Sequence, residues 1–152
     1  MHQEVGTENS VPCLRVNHYP PVLSTLPEGT TTCFSAHTDY TTFTFIFQDN
    51  MGGLQVCDQD GKWLDAEPIP GTILILAGDF LKYYSDNKVV AAGHQVVIPA
   101  EEIQRKSPRT SVAYFVHADG HIPIKPRESF TEQPPTVLEY ACSRLARAYT
   151  HE

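Results

Sequence analysis

The chain lacks a long hydrophobic run. Its longest continuous apolar stretch, Ile73 to Ala77, falls far short of the ~18–20 residues of a membrane-spanning helix. The opening MHQEVGTENS has no apolar stretch of secretory-signal type. A basic excess is also missing: 11 Lys and Arg stand against 18 Asp and Glu, a formal charge of −7. Without a basic run, the chain is a poor fit for gripping nucleic acid or an anionic membrane. Cysteine is sparse. Cys13, Cys33, Cys57 and Cys142 form no CxxC pair and no dense spacing, which argues for free thiols over a disulfide framework. There is no internal repeat, no low-complexity tract and no second-domain signal. With 41% hydrophobic and 19% charged residues, the composition is globular. The expectation is a single cytosolic domain over residues 1–152, an enzyme or a binding module.

Twelve Pro and nine Gly punctuate short apolar runs, a strand-rich signature. Strands are predicted at Val11–Tyr19, Thr32–Thr38, Thr42–Gln48, Leu54–Cys57, Lys62–Ala66, Thr72–Ala77, Ala92–Ile98 and Thr110–His117. Asp60-Gly61 predicts a hairpin, because Gly accepts a positive φ without steric cost. Asp79–Ser85 reads as a short helix and Glu101–Pro108 as a polar connector. Thr136 and Glu139 form a capping-box pattern. Val137, Leu138, Ala141, Leu145, Ala148 and Tyr149 then recur at helical spacing. The fold class is all-β, an antiparallel sandwich or barrel, with a C-terminal helix near 136–150.

His37-Thr38-Asp39 ends one strand pattern, and residues i and i+2 of a strand share a face. His94 opens another, 57 residues on. Two His and one carboxylate on one side of an ion leave the opposite positions open, as in the facial triad of non-haem Fe(II) oxygenases. The motif alone is not specific. Seven His and eight Asp give roughly 0.4 HxD matches by chance. A second match, His117-Ala118-Asp119, reads as a loop or as His117 lining a pocket.

Arg109 and Ser111 share a face of the last strand. Arg offers a carboxylate two parallel N–H bonds and Ser adds a hydroxyl. Asn17 and Tyr19 form another same-face pair, with a phenol able to donate to the same anion. RxS also occurs at Arg105/Ser107 and Arg127/Ser129. Only Arg109 leads into a core-type strand; Arg105 and Lys106 read as a solvated basic cluster.

Together, RVNHYPP, AHTDYTTFT, GGLQVCDQDGKWLDAEPIPG, LAGDFL, GHQVV and RTSVAYF resemble the catalytic core of the Fe(II)/2-oxoglutarate-dependent dioxygenases, in the isopenicillin-N-synthase-like branch. The resemblance covers residues 12–118 and leaves 119–152 as a C-terminal extension. It implies a double-stranded β-helix, or jelly roll, with Fe(II) on His37, Asp39 and His94. It implies 2-oxoglutarate on the iron, its far carboxylate on Arg109 and Ser111 with Tyr19 and Asn17 nearby. It implies O₂ as oxidant, ascorbate as a supporting reductant and a small-molecule substrate. Tyr40, Phe45, Phe115 and His117 are the substrate-pocket candidates. The chain departs from the family at Ala77, Gln95 and Val90-Ala91, and it lacks the long helical region that usually precedes this core. That lack predicts an exposed apolar face and self-association. Two other readings stay open: an iron oxidase of the same branch that does not consume 2-oxoglutarate, and a non-catalytic jelly-roll module holding a metal such as Zn²⁺.

Overall fold

The computed structural model describes residues 13–21, 32–98, 106–124 and 134–149. Eight strands appear among them: β1 (Cys13–Tyr19), β2 (Thr32–His37), β3 (Phe43–Gln48), β4 (Leu54–Cys57), β5 (Trp63–Asp65), β6 (Leu74–Ala77), β7 (His94–Val97) and β8 (Arg109–Val116). They make two four-stranded antiparallel sheets, ordered β1-β8-β3-β6 and β2-β7-β4-β5. Apart from the β4–β5 hairpin, consecutive strands alternate between the sheets, which is the jelly-roll wiring. Each predicted strand is present among the described residues: β4 keeps the predicted bounds, β8 is shifted by one residue toward the N-terminus, and β2, β3, β5, β6 and β7 are shorter than predicted. Val11 and Arg105, with Arg127 and Ser129, lie outside the described residues.

The β4–β5 hairpin turns as Asp60-Gly61 predicted, with Gly61 at φ 80°. Asp58 organises it, accepting from the backbone N–H of Asp60 at 2.9 Å and of Lys62 at 2.8 Å. Helix α1 (Asp79–Tyr84) follows β6 directly, and α2 (Val137–Tyr149) is the last described element. The capping box closes in both directions. Thr136 N–H donates to Glu139 Oε2 at 2.8 Å, and Glu139 N–H to Thr136 Oγ1 at 3.2 Å. The face of α2 differs from the predicted stripe. Leu138 and Leu145 are exposed, whereas Val137 is buried and Tyr140, Ala141 and Arg144 are half-buried. Spacing alone placed leucines inward; packing against α1 and the 117–124 segment selected the neighbouring stripe.

Two apolar clusters hold the fold. Ile46, Leu54, Leu76 and Val96 fill the space between the sheets. Phe80, Ala118, Ile124 and Val137 join α1, the segment after β8 and α2. Each buried Val, Ile, Leu or Phe among them contributes about 1.5–3 kcal/mol. The outward face of the first sheet is also apolar. Leu14, Val16, Phe43, Phe47 and Ile75 alternate with the inward residues and stay exposed. No helix among the described residues is long and apolar enough to cross a membrane.

Candidate metal centre and carboxylate pocket

His37 and His94 stand directly opposite each other in the β2–β7 register. Their ring centroids lie 4.3 Å apart. Asp39 is not on β2; it sits two residues past the strand end, in coil. Strand parity therefore does not bring the three together. Two irregularities in β2, on either side of Phe34, re-aim its end, as bulges beside sites commonly do. His37 Nε2 lies 3.5 Å and His94 Nε2 3.8 Å from Asp39 Oδ1. One ligand atom from each of the three falls within 4.8 Å of the others.

The remaining atoms are already assigned elsewhere. A carbonyl only accepts, so His37 Nδ1–H donates to Ser35 O at 2.8 Å and His94 Nδ1–H to Ala92 O at 3.1 Å. Both Nε2 atoms thus turn toward Asp39. Thr44 Oγ1 donates to Asp39 Oδ2 at 2.6 Å, leaving Oδ1 toward the imidazoles. Such supporting hydrogen bonds are what orient metal ligands. Burial alone would raise the Asp39 carboxyl. The His37 hydrogen bond, the His94 charge and the Thr44 hydroxyl outweigh burial and hold it below the ordinary aspartate value. Burial lowers the His94 pKa against the opposing pull of Asp39, which favours the neutral, ligating imidazole. The donor set fits a divalent iron with open positions.

The four carboxylate-site candidates form two cross-strand pairs, Asn17 opposite Ser111 and Tyr19 opposite Arg109. Arg109 is 6% exposed. Its Nε donates to Gly52 O at 2.6 Å, Nη1 to Ser111 Oγ at 3.2 Å and Nη2 to Gln48 Oε1 at 3.1 Å. All three acceptors are neutral. Among the described residues no carboxylate pairs with this cation. Of five guanidinium N–H groups, one on each terminal nitrogen remains for an incoming anion. The Tyr19 ring lies 5.2 Å from the guanidinium carbon. Burial raises the Tyr19 pKa, with the Arg109 charge opposing it, so the phenol keeps its proton as a donor.

Metal cluster and carboxylate pairs open onto one cavity, with Phe115 in its wall. Tyr40, Phe45 and His117 do not line it. Tyr40 packs on the Phe80 cluster. Phe45 points outward beside Tyr114, ring centroids 6.5 Å apart, because Thr44 and Ile46 take the inward parity. His117 lies past the end of β8, its Nδ1 donating to Ala118 O at 3.0 Å. Asp119 is no surface loop residue; it is 1% exposed.

The sequence reading missed Arg15, Phe34, Thr44 and Gln48, all of which face this region. Arg15 shares the parity of Asn17 and Tyr19, and its guanidinium lies 5.8 Å from the Phe115 ring centroid. Gln48 and Thr44 share the parity of buried Ile46. Phe34, edge-on to His37 at 4.8 Å, is placed by the β2 irregularities and left no sequence signal.

The profile of the 2OG-Fe(II) oxygenase superfamily matches residues 10–118. The chain belongs to that superfamily. A 1-aminocyclopropane-1-carboxylate oxidase homolog of Arabidopsis thaliana, homolog 7, is 32% identical over 94% of this chain and 42% of its own length. Neurospora crassa T7H in complex with alpha-KG superposes with a TM-score of 0.79 at 34% identity, over 90% of this chain and 44% of that one. T7H in complex with thymine gives a TM-score of 0.78 at 31% identity, with the same coverage. The chain thus spans less than half the length of these relatives. The superfamily assignment brings Fe(II), 2-oxoglutarate and O₂ as cofactor and co-substrates.

Proposed function

We propose that this chain forms the catalytic centre of an Fe(II)- and 2-oxoglutarate-dependent oxygenase that oxidises a small organic molecule by hydroxylation, desaturation or ring closure. One observation carries the reading: a buried Arg without an anionic partner among the described residues shares a cavity with two imidazoles and a carboxylate. An unpaired buried ion is disfavoured by on the order of several kcal/mol, so Arg109 calls for an anion.

His37, Asp39 and His94 would hold the metal. Arg109 and Ser111, with Tyr19 and Asn17, would hold the far carboxylate of 2-oxoglutarate. Bound iron supplies oxidising power that no side chain has, coupled to decarboxylation of 2-oxoglutarate to succinate. The chain fixes three ligand atoms and holds one co-substrate end. It keeps Arg15 and Phe115 in the cavity wall. A cation beside an aromatic face suits a planar substrate bearing carbonyl or carboxylate oxygens. The alpha-KG and thymine complexes of T7H support both halves of this reading.

The test is aerobic incubation with Fe(II), ascorbate and 2-oxoglutarate, with and without a metabolite extract. Iron-dependent succinate release, raised by the extract, is expected. Oxidised product without succinate indicates the oxidase of the same branch. Absence of redox-active iron indicates a binding module.

A further inference from the structure

Helix α2 lies outside the span matched by the superfamily profile, yet it reaches the metal-ligand segment. Arg144 projects from it with two terminal nitrogens in use. Nη2 donates to Thr38 O at 2.9 Å. Nη1 pairs with Asp79 Oδ2 at 2.5 Å. Tyr140, one turn earlier, donates its hydroxyl to the same carboxylate oxygen at 2.9 Å. The backbone N–H of Asp79 in turn donates to Asp39 O at 2.8 Å. Thr38 O belongs to the peptide before Asp39, and Asp39 O to the peptide after it. The circuit from Thr38 through Arg144 and Asp79 back to Asp39 therefore pins both peptide groups that flank this residue.

Asp39 needs such a clamp because it stands in coil, without the ladder hydrogen bonds that fix His94 in β7. Thr44 sets the rotation of its carboxylate, but not where its Cα sits. We propose that Arg144 is a positioning residue for the metal centre, acting through Thr38 and Asp79 on the backbone of Asp39. The proposal rests on His37, Asp39 and His94 being metal ligands. It makes the C-terminal helix part of the scaffold of the site. The planar guanidinium reaches two acceptors at once, which a Lys ammonium on a single stem does less well.

The test is anaerobic Co(II) titration of the full chain, followed by visible absorption, with thermal melts in parallel. R144Q is expected to weaken Co(II) binding about 10- to 100-fold, the usual effect of removing a ligand's support, and to alter the band pattern. R144K should fall between R144Q and the unmodified chain. V137A removes core packing from the same helix without touching the circuit. It should lower the melting temperature while leaving Co(II) affinity and spectrum intact. Unchanged affinity and spectrum in R144Q overturn the proposal, as does an equal loss of affinity in V137A. If R144Q does not fold, R144K decides, since it keeps the charge beside Asp79; unmodified behaviour there overturns the proposal. Failure of the unmodified chain to bind Co(II) is a separate result, and it overturns the metal centre itself.

Discussion

Thr44 donates its hydroxyl to Asp39 Oδ2 at 2.6 Å, and both residues are buried. This one bond decides which carboxylate oxygen faces the imidazoles. Thr44→Val keeps the shape and removes the donor. It leaves a buried acceptor unsatisfied, at about 1–3 kcal/mol. Metal affinity should fall by about tenfold or more with the sheets intact. Co(II) titration beside a thermal melt checks this; unchanged affinity refutes the role given to Thr44.

Substitution of His37, Asp39 or His94 by Ala should each abolish stoichiometric Fe(II) binding, since three ligands leave little redundancy. His117→Ala should not. Metal at a hundred times its dissociation constant stabilises the fold by about 2.7 kcal/mol, so a ligand variant should lose the metal-dependent rise in melting temperature. Retention of that rise in His94→Ala, with loss in His117→Ala, would sink the assignment.

Arg109→Lys keeps the charge but loses the fork. We expect 2-oxoglutarate affinity to drop about a hundredfold, near 3 kcal/mol, with iron affinity nearly unchanged. Arg105→Ala and Arg127→Ala should behave as the unmodified chain. Anaerobic titration of the Fe(II) protein with 2-oxoglutarate, followed by its charge-transfer band, reads this directly. Loss in the Arg105 variant alone means that a different RxS pair binds the anion.

Gly78 precedes α1 where a Cβ would lie 2.2 Å from Thr41 O and 2.4 Å from Thr41 Oγ1. Gly78→Ala must displace the β6–α1 junction, costing about 1–3 kcal/mol. The same shift moves Asp79 N–H off Asp39 O, so metal affinity should fall together with stability. A stable Gly78→Ala protein with unchanged metal binding contradicts the coupling.

The outward face of the first sheet carries Leu14 and Val16 at 62% exposure and Ile75 at 54%. A contiguous patch of this kind favours association. Dye binding and concentration-dependent association are expected by light scattering. The double change Val16→Lys and Ile75→Lys should reduce both without lowering the melting temperature. A dye-silent, monodisperse unmodified chain contradicts the prediction.

Strand parity and turn chemistry are local rules, and wherever one strand carried the argument the sequence was enough. Tyr19 and Asn17, like Arg109 and Ser111, face inward because side chains alternate every residue. Gly61 turns and Thr136 caps for equally local reasons. The jelly roll itself was legible only through the ordered set of motifs, since eight short strands are compatible with several wirings. Tertiary structure decided what crosses between elements. Phe45 points outward because Ile46 and Thr44 claimed the interior, a choice that the run FTFIF does not reveal, since hydrophobicity alone would bury its three Phe and leave Thr44 outside. Asp39 meets His37 through the distorted end of β2 and the Arg144–Asp79 circuit, not through a shared strand face. Arg144 is not among the sequence candidates. Its partner Thr38 lies 106 positions away, and only the packing of α2 against α1 brings them into contact.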